Sequence, residues 1–250
     1  MRKTVAALIM LFVCLTAYGA LSEDIELGKH SLINLDYGPK TGYKESYYIA
    51  YIKNTCDEPL LIESIGIDLF DETGTKIASD KYPFQIGADY LEPGETTCVC
   101  FLTYFGETNH ERNAASVELH YTVRKDDISE FQLDRLDSSN SVTEGSYDAD
   151  TDRLRASITN KNAQNLMDAI VTMVLEDTNG NPVFMTVNTL FNSILDPGNT
   201  IAIEYRFGDY LSYDKKLKEY YSENGITPAN VKVYVKYGFN EANLWDGWEW

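Results

Sequence analysis

Ile52-Lys53-Asn54, then Ile65-Gly66-Ile67-Asp68-Leu69-Phe70-Asp71-Glu72-Thr73-Gly74, then Leu91-Glu92-Pro93-Gly94: this series decides the fold, because the chain spells it twice. The second copy is Ile158-Thr159-Asn160, then Val171-Thr172-Met173-Val174-Leu175-Glu176-Asp177-Thr178-Asn179-Gly180, then Leu195-Asp196-Pro197-Gly198. Asn54 and Asn160 are 106 residues apart, as are Leu69 and Leu175, and the offset falls to 104 at the Pro-Gly pair. A period this long means tandem domains, since solenoid units repeat at shorter intervals.

Within each copy apolar residues alternate. Tyr48, Ala50 and Ile52 correspond to Leu154, Ala156 and Ile158; Ile65, Ile67 and Leu69 to Val171, Met173 and Leu175; Thr97, Val99 and Phe101 to Ile201, Ile203 and Tyr205. Period-two alternation bounded by Asn, Gly and Pro predicts half-buried strands. Asp71–Gly74 and Asp177–Gly180 read as hairpin turns whose glycine supplies a positive φ. A last strand closes each copy, Val117 to Val123 and Val231 to Tyr237. The predicted fold is all-β, two tandem β-sandwiches. Its divisions are a signal peptide over 1–20, a first sandwich over 22–124, a linker and first strand over 125–145, and a second sandwich with a Trp-rich tail over 146–250.

The copies differ in length at one place. Eleven residues separate Phe105 from Val117, but 23 separate Phe207 from Val231. The surplus sets Tyr210, Tyr213, Leu217, Tyr220 and Tyr221 at helical spacing, with Lys215, Lys216, Lys218 and Glu219 opposite and Gly225 as a stop. This predicts a short amphipathic helix inserted into the second sandwich, read as a lid over an open end of the core in preference to a partner-binding helix.

The N-terminus reads as a cleaved secretory signal. Arg2-Lys3 precedes an uncharged apolar run from Val5 to Ala17, and Ala17-Tyr18-Gly19 offers small residues at the two positions a signal peptidase reads. Cleavage is expected after Gly19, with Ala20 as the alternative. The run is too short for a permanent bilayer anchor. Leu11-Phe12-Val13-Cys14 resembles a lipobox, but Phe12 and Val13 are bulky where small residues are wanted. The expected locations are the cell surface or the medium, with no membrane insertion after cleavage.

The formal charge is −18, and removing residues 1–20 takes away two of the 21 basic residues and none of the 39 acidic ones, leaving −20. Such a charge argues against nucleic acid and anionic lipid as partners. An odd set of cysteines remains: Cys56, Cys98 and Cys100. Cys98 and Cys100 are two apart on one strand, a poor geometry for a bond, so Cys56–Cys98 is the expected disulfide. The second copy lacks all three.

Ile67-Asp68-Leu69-Phe70-Asp71 before a glycine turn, with Ile-Lys-Asn upstream and Leu-Glu-Pro-Gly downstream, resembles the FxLYD family of bacterial cell-envelope domains. In the second copy Glu176 stands where that family has an aromatic. The resemblance covers most of residues 25–237, implies immunoglobulin-like sandwiches, and supplies no catalytic residues.

Signatures of chemistry are sparse. His30, His110 and His120 lack metal-ligand spacing, and His120, alternating with Leu119 and Tyr121, is expected on a solvent face. No nucleophile elbow, zinc-binding helix or phosphate loop is present, and no cofactor is implied. Asp148, Asp150 and Asp152 alternate as in a calcium loop, but Arg153 occupies the tight-turn glycine position and no closing Glu follows, so no metal site is expected. Trp245, Trp248 and Trp250, all three tryptophans, lie in the last six residues. They read either as a tail folded back on the second sandwich or as an aromatic platform for sugar rings or a partner protein, a reading to which Tyr47 and Tyr51, taken as surface tyrosines, add support. Three functions result: a non-catalytic binding or spacer protein of the envelope whose partner is an extracellular protein or a glycan; a carbohydrate-binding protein using the terminal tryptophans; and a hydrolase with a carboxylate site. The two sandwiches are expected to unfold independently, so that Leu69→Ala would weaken only the first.

Overall fold

A computed structural model describes residues 24–37, 44–105, 112–128, 141–161, 165–167, 169–189, 194–208 and 212–237. Both proposed cleavage sites, His110, Tyr210 and the three tryptophans lie outside them. The fold is all-β with one short helix among these residues.

The first sandwich contains β1 (Ile25–Asp36), β2 (Lys44–Asn54), β3 (Leu60–Phe70), β4 (Lys76–Asp80), β5 (Gln85–Ile86), β6 (Tyr90–Leu91), β7 (Thr96–Tyr104) and β8 (Ser116–Arg124). One sheet has the order β1-β2-β7-β5; the other is β4-β3-β6, with β8 also paired to β3. The second sandwich contains β9 (Ser141–Asp148), β10 (Arg153–Asn160), β11 (Leu166–Met167), β12 (Ala169–Asp177), β13 (Pro182–Thr189), β14 (Ile194–Leu195), β15 (Thr200–Arg206), the helix α1 (Ser212–Asn224) and β16 (Pro228–Tyr237). Its sheets are β15-β10-β9 and β13-β12-β16, beside the short β11-β14 pair. The duplicated sequence is therefore a duplicated structure: β10 takes the place of β2, β12 of β3, β15 of β7 and β16 of β8.

The repeated motif residues perform the same task in each copy. Asn54 is wholly buried and its side-chain amide donates to the Leu91 carbonyl, while the Gly94 N–H donates back to the Asn54 carbonyl. Asn160 does likewise with Leu195 and Gly198. Each Asn thus ties the end of one strand to the Leu-x-Pro-Gly turn, where Gly94 and Gly198 have φ of 76° and 80°. A buried amide that meets polar backbone in this way avoids the cost of desolvation. The hairpin turns match as well. Asp71 accepts from the backbone N–H of Thr73 and Thr75, and Asp177 from those of Asn179 and Asn181. Gly74 and Gly180 carry the expected positive φ.

Each sandwich has its own interior. Tyr48, Ala50, Ile52, Ile65, Ile67, Leu69, Val99 and Phe101 fill the first. Leu154, Ala156, Ile158, Val171, Met173, Leu175, Phe184 and Phe207 fill the second. In the second, β9 closes so tightly on β16 that a Cβ at Gly145 would lie 2.5 Å from the Val231 carbonyl oxygen.

The second interior does not end at its own sheets. Ile33, Leu35, Tyr47, Ile49, Tyr51, Cys98 and Cys100 of the first sandwich belong to the same continuous apolar cluster. Tyr47 and Tyr51 are therefore not surface residues: they are 0% and 5% exposed. The outer face of β1-β2-β7 lies against β12, β13 and α1, giving a third packed layer between the two sandwich interiors. Helix α1 takes part in this layer, burying Tyr213, Leu217 and Tyr221, and it stops at Gly225 with φ 65°. It is a lid, as its spacing predicts, but one that closes the joint as well as the second core.

Candidate functional site

Several buried polar groups of the described residues meet at the joint. Tyr51 Oη donates to Glu176 Oε1 at 2.8 Å, the same oxygen that receives Lys232 Nζ at 2.8 Å. The Lys232 ammonium also sits 4.4 Å from the centre of the Tyr51 ring, a cation–π contact. Glu176 is thus an acceptor that ties the first sandwich to the second. The Met185 backbone N–H, on the free edge of β13, donates to Tyr47 Oη at 2.9 Å, and the Tyr47 ring stacks on Tyr213 with centroids 6.2 Å apart. Burial above all, and then Cys100, push the Tyr47 phenol well above its ordinary value. Burial does the same to Tyr51 and Cys98, and pushes Cys100 up to about 12. Burial thus favours the un-ionised form of each of these groups.

The cysteines correct the expected disulfide. Cys56, Cys98 and Cys100 are all free. Cys98 pairs with Tyr51 across the ladder and faces the joint, whereas Cys56 lies past the end of β2, packed toward the first interior, with Sγ donating to Asp24 Oδ1 at 3.1 Å. The sheet itself stands between the two thiols. Lys125 Nζ reaches the same Asp24 oxygen at 2.6 Å, joining the end of β8 to the start of β1.

The duplication lets the two ends of the molecule be compared with the joint. Tyr47, Ile49 and Tyr51 become Arg153, Arg155 and Ser157 in the second sandwich, and Cys98 and Cys100 become Ala202 and Glu204. That face is outward, with both arginines bonded to Glu204 at 2.7 and 2.9 Å. The reverse holds on the other sheet: Thr172, Val174, Met185, Lys232 and Tyr234, at or beside the joint, replace Gly66, Asp68, Ser79, Glu118 and His120 of the first sandwich. One face of each sandwich is shaped to dock, and its counterpart in the other is polar. Polar outer faces flanking a buried joint are also the pattern of capping repeats in solenoids.

The polar end of the first sandwich places Asp68, His120 and Ser79 together. His120 Nε2 is 3.1 Å from Asp68 Oδ2, and Ser79 Oγ donates to Asp68 Oδ1 at 2.5 Å. His120 is on the solvent face, with half its side chain exposed. Both groups bond the carboxylate, and the serine does not meet the histidine, whereas an activated serine needs the imidazole as its own base. The trio is a cross-strand ionic network completed by Lys76 at 2.8 Å. Burial acts to raise the Asp68 pKa, but hydrogen bonds from Lys76, Ser79 and His120 outweigh it and hold the group at about 2, against an ordinary 3.8. A depressed carboxylate contributes stability that is present above the ordinary value and lost as pH falls through the folded one. Asp68→Asn should therefore be less stable than the parent at neutral pH, and the two should converge between pH 3.8 and about 2. Urea denaturation at several pH values reads this directly; a gap unchanged down to pH 2 would contradict the assignment.

The alternating aspartates are absorbed by the hairpin between β9 and β10. Asp148 accepts from the backbone N–H of Asp150 and Thr151, and Asp152, at φ 53°, accepts from Tyr147 Oη and Lys218 Nζ. Among the described residues no three His, Cys, Asp or Glu converge as metal ligands. The terminal tryptophans lie outside those residues, and since they are the protein's only tryptophans, emission reports on them alone. Blue-shifted emission poorly quenched by iodide is expected if the tail folds back; red-shifted, readily quenched emission would contradict it.

No family model matches the chain, and no curated protein matches it. Solved structures match at low similarity. A beta-glucuronidase from glycoside hydrolase family 2 is 11% identical over 64% of this chain and 20% of that one, with TM-score 0.17. A transglutaminase of red sea bream is 9% identical over 72% and 27%, at 0.18. The N-terminal CBM22-1-CBM22-2 tandem domain of Paenibacillus barcinonensis Xyn10C is 8% identical over 89% and 88%, at 0.15. The chain thus spans only 20% and 27% of the first two proteins, and at these TM-scores none extends an activity to it.

Proposed function

We propose that this chain is a non-catalytic, exported, FxLYD-like protein of the cell envelope or medium, whose two sandwiches are fused into one rigid body that binds or spaces an extracellular protein or glycan. The observation that carries the reading is the buried joint. A large apolar layer with a fixed tyrosine–carboxylate–ammonium cluster holds two modules at one angle, as a spacer or a presenting scaffold requires. The ionisable groups support it as well. Those at the joint are locked in their un-ionised forms or paired, and the histidine–carboxylate–serine trio lacks the connectivity of a nucleophilic site. The charged start and apolar run of residues 2–17 support the export half of the reading.

The test is to express the full chain with a C-terminal tag in a bacterial host and fractionate the cells. The protein should appear in the envelope or medium beginning at Ala20 or Leu21, and should turn over no substrate in a glycosidase, esterase and peptidase panel. Retention in the cell interior with residues 1–20 intact, or turnover lost on changing one carboxylate, would overturn the reading.

A further inference from the structure

Both thiols of β7 belong to the joint. Val99 and Phe101 of that strand point into the first interior, whereas Cys98 and Cys100 point the other way, into the layer shared with the second sandwich. Both cysteines are 0% exposed. The ladder sets Cys98 opposite Tyr51 and Cys100 opposite Ile49, so the pair stands among the side chains that dock. Tyr47 Oη, which accepts the Met185 N–H, donates in turn to the Cys100 sulfur. Lys232 and Glu176, from across the joint, bear on Cys98 through their charges. Cys56 differs, being half-buried beside Asp24 and packed toward the first interior. The second copy has Ala202 and Glu204 at the two β7 positions, on a face that meets solvent, so the strand itself does not require cysteine there.

What these thiols do depends on whether the joint is closed. In the docked protein burial favours the thiol over the thiolate at both positions, and the thiolate is the form that attacks a disulfide. Before docking, both side chains lie on an open sheet face and exchange with any small disulfide they meet. The cysteine sulfur bonds to one sulfur of the reagent, the reagent's S–S bond breaks, and the departing thiol keeps the proton. The attached group does not fit a closed joint, because interiors are close-packed and added volume is not absorbed. It leaves the first interior alone, since Val99 and Phe101 hold that side of the strand. We propose that Cys98 and Cys100 form a redox gate on the joint: the sandwiches dock only with both thiols reduced, and a mixed disulfide at either one leaves two folded but undocked sandwiches. The proposal rests on the one-body reading above, and it makes the rigid scaffold available only where thiols stay reduced while the chain folds.

Refolding the full chain from guanidinium in reduced or oxidised glutathione tests it, with adducts mapped by peptide mass spectrometry. In the reduced form the chain should elute as one compact body. In the oxidised form it should carry glutathione at Cys98 or Cys100, keep its strand content by circular dichroism, and elute as a larger, extended species. Dithiothreitol should restore the compact body. Once docked, the chain should take up glutathione at Cys56 about a hundredfold faster than at Cys98 or Cys100. The double variant Cys98→Ala, Cys100→Ala should dock under both conditions, and Cys56→Ala should remain gated. A chain modified at Cys98 or Cys100 that still elutes as compact would overturn the proposal. So would loss of strand content in the adduct, refolding in oxidised glutathione with neither thiol modified, or loss of gating in Cys56→Ala. If the alanine pair fails to dock even when reduced, the elution of the mapped parent adduct decides alone. An extended chain in reduced glutathione would instead contradict the one-body reading, so the two failures are told apart.

Discussion

Ile49→Arg is expected to destabilise the whole protein by about 3–5 kcal/mol, the cost of an uncompensated charge in a dry layer, while Arg155→Ile changes stability by about 0.5 kcal/mol or less, as surface replacements do. The two positions are equivalent, 106 residues apart in the repeat. Ile49 is wholly buried at the joint, whereas the Arg155 side chain is 49% exposed beside Glu204. Guanidinium denaturation followed by circular dichroism checks both. Similar, small effects at the two positions would mean that the first sandwich's outer face is not covered.

Tyr47→Ala should cost about 3–5 kcal/mol, the range for removing a large buried aromatic. It deletes the stack on Tyr213 and strips the Met185 N–H of its acceptor. Tyr47→Phe keeps the ring and should cost about 1–3 kcal/mol, that of an orphaned buried donor. Both variants should shift one transition rather than split it. This replaces the expectation that Leu69→Ala would weaken the first sandwich alone, because the joint couples the two interiors. The same tyrosine sets an alkaline limit. Its folded pKa lies above the ordinary 10.0, so its contribution is fully present below pH 10 and is lost as pH rises beyond it, when unfolded chains gain by ionising. Phenolate absorbance should therefore appear in two stages, exposed tyrosines first and the joint tyrosines only with unfolding. A single smooth titration at the ordinary value would contradict their burial.

Much of this architecture is legible in the sequence because the motif residues act locally. Asn54 and Asn160 reach turns that their own Leu-x-Pro-Gly stretches supply, and Gly74 and Gly180 sit where a positive φ is required. The spacing of Tyr213, Leu217 and Tyr221 gives the buried helix face directly. What is harder to read is which faces meet. Yet a signal is present: residues 47–52 run Tyr-Tyr-Ile-Ala-Tyr-Ile without alternation, and 169–175 run Ala-Ile-Val-Thr-Met-Val-Leu, whereas 153–159 alternate as Arg-Leu-Arg-Ala-Ser-Ile-Thr. Near-continuous apolar strands are buried on both faces, so β2 and β12 mark the two sides of the joint. The cysteine pairing fails for a related reason: proximity along the ladder says nothing about which side of a sheet a thiol occupies.

The most direct measurement is to place a specific protease site within residues 129–140, between the two sandwiches, cut the purified protein, and ask whether the halves part. They should co-elute in size-exclusion chromatography under native conditions and unfold in one transition whose midpoint rises with protein concentration, as expected for a folded heterodimer. Separation of the halves on cutting, each with its own transition independent of concentration, would contradict a single body held by Tyr47, Tyr51 and Glu176.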